Sequence, residues 1–403
     1  MSIPAHTENK FGMFVHWGFY SLLETQEQAL ARFDMDNREY EQLMYSFNPE
    51  KFDADELVLL AKNAGMKYIC VTAKHHDGFC MWDTKYTAYN IMNTPYKRDI
   101  LKMIADACGR HDMLFSIYYS NPDWHEPCGY NEKSSHQWKS VCPAEGDSVK
   151  YREFVKNQIT ELLTNYGPVY TLFWDIPPRY EDKSINGLAR KLMPGILINN
   201  RGYDEGDFAT PEREVPEGNR FTKMTEACQS VGEQSWGYRA DEDYYSARFL
   251  MSSVGKIMAM GGSYLLNIGP KGDGTIPEPA SALIKKVGDW YNRTNGCLEG
   301  TEADAFAYDF IYPQPCITLT KNGKSYFVFY EGVRSSAVSF KVCPGVPKQA
   351  RLMNSGKTLR VRYEKLPGVF DGKTGRAKGP FVSITGIDAD KFSEEPIILE
   401  IEW

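Results

Sequence analysis

From Lys10 to about residue 300 this chain alternates short apolar runs with longer amphipathic runs at helical spacing. That is the pattern of parallel strands joined by crossover helices. Asp53 to Ala64 (DADELVLLAKNA) opens on Asp, carries apolar residues at helical spacing and stops at Gly65; Asp99 to Arg110 and Val149 to Asn165 read the same way. Strands are expected at Phe11–Trp17, Tyr68–Thr72, Leu114–Tyr119, Val169–Trp174, Ile196–Asn199, Phe221–Thr225 and Ser263–Ile268. Helices at Tyr244–Met260 and Pro277–Asn295 complete the set, giving seven strands of a (β/α)8-like barrel and leaving one hidden or missing.

After Gly300 the texture changes to short alternating runs separated by Gly, Pro, Asn and Asp, with no convincing helix. Ile317–Thr320, Ser325–Tyr330, Ala337–Val342, Leu359–Tyr363, Phe381–Ile384 and Ile397–Trp403 predict a small antiparallel β-sandwich. The 403 residues suit that division: a catalytic barrel over residues 1–300 and a C-terminal domain over 301–403.

Composition narrows the partners. The net charge is -7 and no Lys/Arg run occurs, which argues against binding a nucleic-acid backbone. No run of 18 apolar residues or charged leader is seen, so no membrane association is expected, and location is left open: periplasmic or secreted if an export signal was removed, otherwise cytoplasmic. The nine cysteines lack CxxC spacing and show neither a disulfide framework nor a zinc site; Cys70 in a strand and Cys108 on a helix read as buried thiols. With 25 Tyr and 8 Trp, several near strand ends, a neutral polar ligand able to stack on aromatic faces fits best.

The strand ends carry the chemistry. In YGPVYTLFWDIPP the apolar run Val169–Trp174 ends on Asp175 and is cut off by Pro177 and Pro178, which is where a (β/α) barrel displays catalytic groups. Asp175 could instead be a helix cap or turn former, but three other strands also finish on reactive side chains. These are His16 and Trp17; Lys74, His75, His76 and Asp77; and Ser120, Asp123 and Trp124. A glycosidase needs two carboxyl groups flanking the scissile bond. Asp175 can supply one; Glu226, after Thr225 at the end of a short strand, is a candidate for the other, with Glu212 in FATPEREVP and Glu233 as competitors. Spacing alone does not choose among them. Adjacent histidines on an extended strand point to opposite sides, and no HxH or HExxH accompanies them, so His75 and His76 suit hydrogen bonding to sugar hydroxyls better than metal binding. Arg201 could orient the nucleophile or bind a hydroxyl.

In this order the segments KFGMFVHWGFYSL, AKHHDGFCMWDTKYTAYN, FSIYYSNPDWHEP, YGPVYTLFWD, INNRGYDEGDFATPE, TEACQSVGEQSWGYR and GGSYLLNIGPKGDGTIP resemble the signature segments of the α-L-fucosidases of glycoside hydrolase family 29. The resemblance implies a distorted barrel followed by a β-sandwich, Asp175 as nucleophile and Glu226 as acid/base. It further implies His16, His75, His76, Tyr119 and Arg201 as sugar-binding residues, and Trp17, Trp82 and Trp236 as pocket walls. Three features depart from the family pattern. Ile176-Pro177-Pro178 follow Asp175 where Gly is common, the nearest match to the family's early Glu-Trp-Tyr segment is Asn37-Arg38-Glu39-Tyr40, and the N-terminus is short.

The expected activity is exo-acting, retaining hydrolysis of a terminal α-L-fucoside of an oligo- or polysaccharide, with no metal or organic cofactor. An α-L-galactosidase is the alternative within the family, if polar groups near Trp82 or His125 hold a C6 hydroxyl. Two readings from other classes stand beside it: a non-catalytic sugar-binding module, favoured if Glu226 lies far from Asp175, and a metal-dependent hydrolase using His75 and His76.

Overall fold

The computed structural model describes residues 9–127, 129, 136, 148–178, 181–214, 216–294, 296–364, 370–371, 375–376 and 381–403. Seven parallel strands form a curled, barrel-like sheet: β1 (Phe11–Val15), β2 (Tyr68–Lys74), β3 (Leu114–Ser120), β4 (Val169–Asp175), β5 (Leu197–Ile198), β6 (Glu226–Ser230) and β7 (Ser263–Ile268). Their order is β5-β4-β3-β2-β1-β7-β6. Nearly every residue of β1, β2, β3, β4, β6 and β7 is buried, as expected for strands covered on both faces.

The helices in chain order are α1 (Ala29–Arg32), α2 (Asn37–Gln42), α3 (Ala54–Asn63), α4 (Ile100–Arg110), α5 (Ser148–Asn165), α6 (Lys183–Leu192), α7 (Ala247–Ala259) and α8 (Glu278–Arg293). Side-chain caps fix several starts: Asp53 accepts from the N–H groups of Asp55 and Glu56, Asp99 from Lys102, Asp182 from Ser184 and Ser246 from Phe249. Gly65, at φ +81°, ends α3.

The missing eighth strand is irregular. Between β5 and β6 runs Phe208–Arg213, pairing in parallel through Asn199 with Phe208, Ala209 with Thr225, and Glu212 with Cys228. Asn200 N–H donates to Phe208 O, while Glu226 and Cys228 N–H donate to Ala209 O and Pro211 O. Pro211 has no N–H to give, so this stretch cannot form a full ladder. The strand expected at Phe221–Thr225 lies five residues further on, at Glu226–Ser230, so Glu226 opens it instead of following it.

Inside the barrel, residues alternate inward by twos. Gly12 is required at the floor because a Cβ there would lie 2.5 Å from the ring of Tyr68. Above it Phe14, Cys70, Phe173, Cys228 and Leu265 fill the middle.

The second sheet is antiparallel, built from β8 (Glu302–Ala303), β9 (Asp309–Phe310), β10 (Ile317–Lys321), β11 (Lys324–Phe329), β12 (Ala337–Val342), β13 (Gln349–Leu352), β14 (Lys357–Glu364), β17 (Phe381–Thr385) and β18 (Ile397–Glu402), with β15 (Phe370–Asp371) and β16 (Gly375–Arg376) as a separate pair. It folds over a core including Phe327, Phe340, Leu352, Ile384 and Leu399, with the rings of Phe327 and Phe340 5.3 Å apart. This is the β-sandwich. The chain forms two compact units: the described parts of Met1–Glu214, Lys223–Tyr245 and Ser263–Lys285, and those of Val215–Thr222, Ser246–Gly262 and Lys286–Trp403. Among the described residues no helix is long and apolar enough to cross a membrane, and seven cysteines, Cys70 and Cys108 among them, are free and buried or half-buried.

A buried ion pair holds two strand exits together. Lys74 Nζ lies 2.6 Å from Asp123 Oδ2, both essentially inaccessible, and Asp123 Oδ1 accepts from the N–H groups of His125 and Glu126. Trp124 N–H then donates to His76 O. Removing one partner strands a buried charge, so Asp123→Ala is expected to destabilise the protein by about 3–5 kcal/mol in chemical denaturation. The double variant Lys74→Met/Asp123→Leu should recover much of that loss; a single variant as stable as the parent would contradict this account.

Candidate active site

At the C-terminal mouth of the barrel lies an open cavity lined by residues that include Phe14, His16, Gln28, His75, His76, Tyr118, His136, Phe173, Asp175, Arg201, Glu212 and Trp236. A larger groove on the second unit, between Arg248 and Phe392, gathers no comparable set of catalytic groups, so size does not identify the site.

Asp175, the last residue of β4, is held on every side. Oδ1 accepts from Arg201 Nη1 at 2.9 Å and from Ile176 N–H at 3.0 Å, and Oδ2 accepts from the Tyr118 hydroxyl at 2.6 Å, with His76 Nε2 at 3.7 Å. Ile176 takes φ +57° and the two prolines follow, so the chain turns sharply away and leaves the carboxylate at the mouth. Burial alone would raise its pKa, but the Arg201 charge and the hydrogen bond from the Tyr118 hydroxyl hold it well below the usual carboxylate range.

Arg201 also reaches Glu212: the same Nη1 donates to Glu212 Oε2 at 2.8 Å, while Nε and Nη2 are fixed by Thr210 Oγ1 and Thr210 O. Two carboxylates thus share one guanidinium nitrogen. Their bonded oxygens are less than about 6 Å apart, against the roughly 5–5.5 Å between carboxyl groups of retaining glycosidases.

The imidazoles are neutral and their tautomers follow from their partners. Asn267 Nδ2 donates to Ser230 Oγ and Trp236 O, so its Oδ1, 2.7 Å from His16 Nδ1, must accept. His16 therefore carries its proton on Nδ1 and offers Nε2 as an acceptor. Ser120 Oγ donates to Pro122 O, so His76 Nδ1 donates to Ser120 and its Nε2 is likewise an acceptor. Burial pushes His16 down to about 4 and His75 to about 3, and His76 also falls well below its ordinary value.

Several expectations need correction. Glu226 is not brought to Asp175: it opens β6 instead of closing a strand, pairs in register with Ser263 at the start of β7, and accepts from the Tyr68 hydroxyl at 2.5 Å on the barrel floor. The mouth is a seven-residue strand away, roughly 20 Å at about 3.3 Å per residue. Glu233 is not among the lining residues, whereas Glu212 is. Tyr119 faces outward, donating to Gln158 Oε1 on α5 under Lys74, while Tyr118 shares the inner face with Phe173 and reaches Asp175. Trp17 packs against Phe47 and Phe52 and donates to Lys271 O; Trp82 donates to Glu161 on α5. Neither lines the cavity; Trp236 does, with Arg213 against its ring. Tyr40 donates to Asp77, so Asn37–Tyr40 supplies no cavity wall, a place taken by Gln28, which the sequence reading missed together with Tyr118 and the phenylalanines. His75 and His76 both face the cavity because the strand ends at Lys74 and a turn follows, closed by Gly78 N–H to His75 O. His125 bonds Glu41 and stacks on Tyr89 outside the lining.

His75, His76 and Asp175 offer ligand atoms within 4.8 Å of one another, the one such group among the described residues. The carboxylate of that trio already serves the Arg201 cation and Tyr118.

Acid stability follows from these shifts. Between about 6.5 and 4 the unfolded imidazoles bind protons that His16, His75 and His76 refuse in the fold, so stability is lost as pH falls; Asp175, held low, adds to the loss below about 4. Buried Asp77, pushed up to about 7, works the other way, as do His125, Asp99 and Glu242, each raised above its ordinary value, while His136, lowered by burial, sides with the three imidazoles. The melting temperature should therefore fall steadily from pH 7 to 4.5, and a His16→Gln/His75→Gln variant should show a shallower decline. A flat parent profile would refute the assignment of neutral buried imidazoles.

Residues 2–296 match the family model described as Alpha-L-fucosidase. Plasma alpha-L-fucosidase of Homo sapiens is 28% identical over 353 residues, covering 80% of this chain and 74% of that protein. Alpha-L-fucosidase isoenzyme 1 from Paenibacillus thiaminolyticus is similar in structure, with a TM-score of 0.85 at 28% identity over 98% of this chain and 97% of that one. So is a GH29 α-L-fucosidase of Bacteroides thetaiotaomicron trapped as a covalent intermediate in complex with 2-fluoro-fucosyl fluoride, at 0.79 and 25% identity over 98% and 94%. With a family model spanning most of its length, the chain belongs to the α-L-fucosidase family of glycoside hydrolases.

Proposed function

We propose that this protein is an exo-acting, retaining α-L-fucosidase in which Asp175 is the nucleophile and Glu212, in place of Glu226, is the acid/base. The observation that carries the reading is the single Arg201 nitrogen bonded to both carboxylates. Asp175 attacks the anomeric carbon as Glu212 gives its proton to the departing oxygen; water, deprotonated by Glu212, then displaces Asp175 and releases the sugar with its original configuration. His16, His75 and His76 bind hydroxyls, and Arg201 orients Asp175. The covalent intermediate of the Bacteroides relative supports the two-step course.

The non-catalytic reading was tied to a remote Glu226. Glu226 is remote, but Glu212 restores the second carboxyl group. The α-L-galactoside reading drew on Trp82 and His125, which do not line the cavity, so an aryl α-L-galactoside should be the poorer substrate. A metal ion is not required: chelator should leave turnover intact.

On 4-nitrophenyl α-L-fucoside, Asp175→Ala is expected to lower kcat by about 10³-fold or more. Glu212→Ala should cost about 10²–10⁴-fold on natural leaving groups, less on activated ones, with partial recovery in azide. Glu226→Gln should keep near-parental turnover and show its effect in melting temperature. An inactive, folded Glu226→Gln beside an unimpaired Glu212→Ala would reverse the assignment.

A further inference from the structure

One polar group of the cavity has no structural duty. Gln28 lines it beside His16 and His75 at only 8% exposure, and its Oε1 is buried without a hydrogen-bond partner. Gln28 precedes α1 at the N-cap position, yet its side chain makes no capping bond. Its backbone is nevertheless fixed. Gln28 O accepts from the N–H groups of Ala31 and Arg32, and the preceding Glu27 accepts from Ser235 Oγ, Trp236 N–H and Gly237 N–H at 3.0 Å each. An amide oxygen held still and left unsatisfied in a buried wall is costly unless a ligand supplies the donor.

We infer that Gln28 is a specificity-determining residue, its amide oxygen accepting a hydrogen bond from a free ring hydroxyl on the edge of the sugar away from the anomeric carbon. The inference rests on the fucosidase reading of this site. Its direction follows from topology: the anomeric carbon must meet Asp175 at the end of β4, whereas Gln28 follows β1 and is pinned to the segment after β6, farther round the barrel. The opposite edge of a pyranose bound that way carries the hydroxyls at C3 and C4. The chemistry follows from the neighbours. His16 Nε2, His76 Nε2 and Gln28 Oε1 are all acceptors, and Asp175 is an anion, so these four groups ask for donors, while neutral His75 brings one donor and one acceptor. A free hydroxyl supplies one. A deoxy position leaves Gln28 unpaired, and an O-methyl or O-sulfo group offers it no proton.

The test is steady-state kinetics of the parent, Gln28→Met and Gln28→Glu on 4-nitrophenyl α-L-fucoside and its 3-deoxy and 4-deoxy counterparts. The parent should lose about 10- to 100-fold in kcat/KM on one of the two deoxy substrates. Gln28→Met, similar in shape but with no amide acceptor, should lose about tenfold on the full substrate and discriminate against that deoxy sugar by about twofold or less. Gln28→Glu keeps an acceptor and should keep the discrimination. Because the amide oxygen has no partner among the described residues, the melting temperature of Gln28→Met should match the parent. An equal deoxy penalty in parent and Gln28→Met overturns the inference, as does a collapse in the stability of Gln28→Met, which would mark the amide as structural. Failure of the parent to hydrolyse any of these fucosides would sink the fucosidase reading instead.

Discussion

Everything at the mouth of this barrel depends on where the Arg201 guanidinium lies. A half-buried Asp175 and an exposed Glu212 lie close together at the cavity mouth, and like charges at that distance repel. A cation between them lessens that repulsion, and Arg201 is fixed by more than the two carboxyl groups: Thr210 takes Nε and Nη2, and the Phe173 ring lies under the guanidinium at 5.6 Å. Thr210 and Glu212 belong to the same irregular stretch, Phe208–Arg213, that occupies the eighth strand position. The arginine therefore positions the second acid and helps close the barrel at once. Pro211 breaks the ladder where the chain needs side-chain anchors instead, and Arg213 supplies another by donating to Gly232 O and Glu233 O.

The two ends of the barrel treat a carboxyl group differently, for reasons visible in the layers. At the floor Glu226 meets the hydroxyl of Tyr68, with Tyr170 beside that ring and Gly12 leaving room for it. This is a closed structural contact. At the mouth Asp175 meets a guanidinium, a hydroxyl and an imidazole beside empty space. Side chains of the middle layer, Phe14, Cys70, Phe173 and Cys228, separate the two environments.

Much of this was legible in the chain. The alternation of strand and helix gave the barrel, the change in texture near Gly300 gave the sandwich, and Asp175 stood out because an apolar run cannot continue through Pro177 and Pro178. What failed was parity and phase. Tyr118 and Tyr119 are adjacent aromatic residues on one buried strand, and only the register Tyr118 with Phe173 and Ser120 with Asp175 shows which faces inward. For Glu226 the strand was placed five residues too early, a whole strand length, and that carried the side chain from floor to mouth in the sequence reading. Phe208–Arg213 lacks strand signals because Pro211 and the charged Glu212 and Arg213 interrupt the apolar run. Trp17 and Trp82 were implied as pocket walls by the family resemblance, and buried tryptophans satisfied by Lys271 O or Glu161 look no different in sequence from pocket walls.

The low proton affinity of Asp175 bears on the proposed reaction in both of its steps. Hydrogen bonds from Arg201 and Tyr118 stabilise the free carboxylate and so weaken it as a nucleophile. The same bonds make it a better leaving group when the glycosyl ester must be broken, and a double displacement needs both properties in one residue. Proton delivery by Glu212 in the first step offsets the weaker attack, since a protonated leaving oxygen departs as neutral alcohol. In the second step Glu212 takes that proton back from water while Arg201 receives the returning charge on Asp175. A guanidinium bonded to both acids follows the charge as it moves from one to the other, which is why its place between them matters more to turnover than the strength of either bond alone.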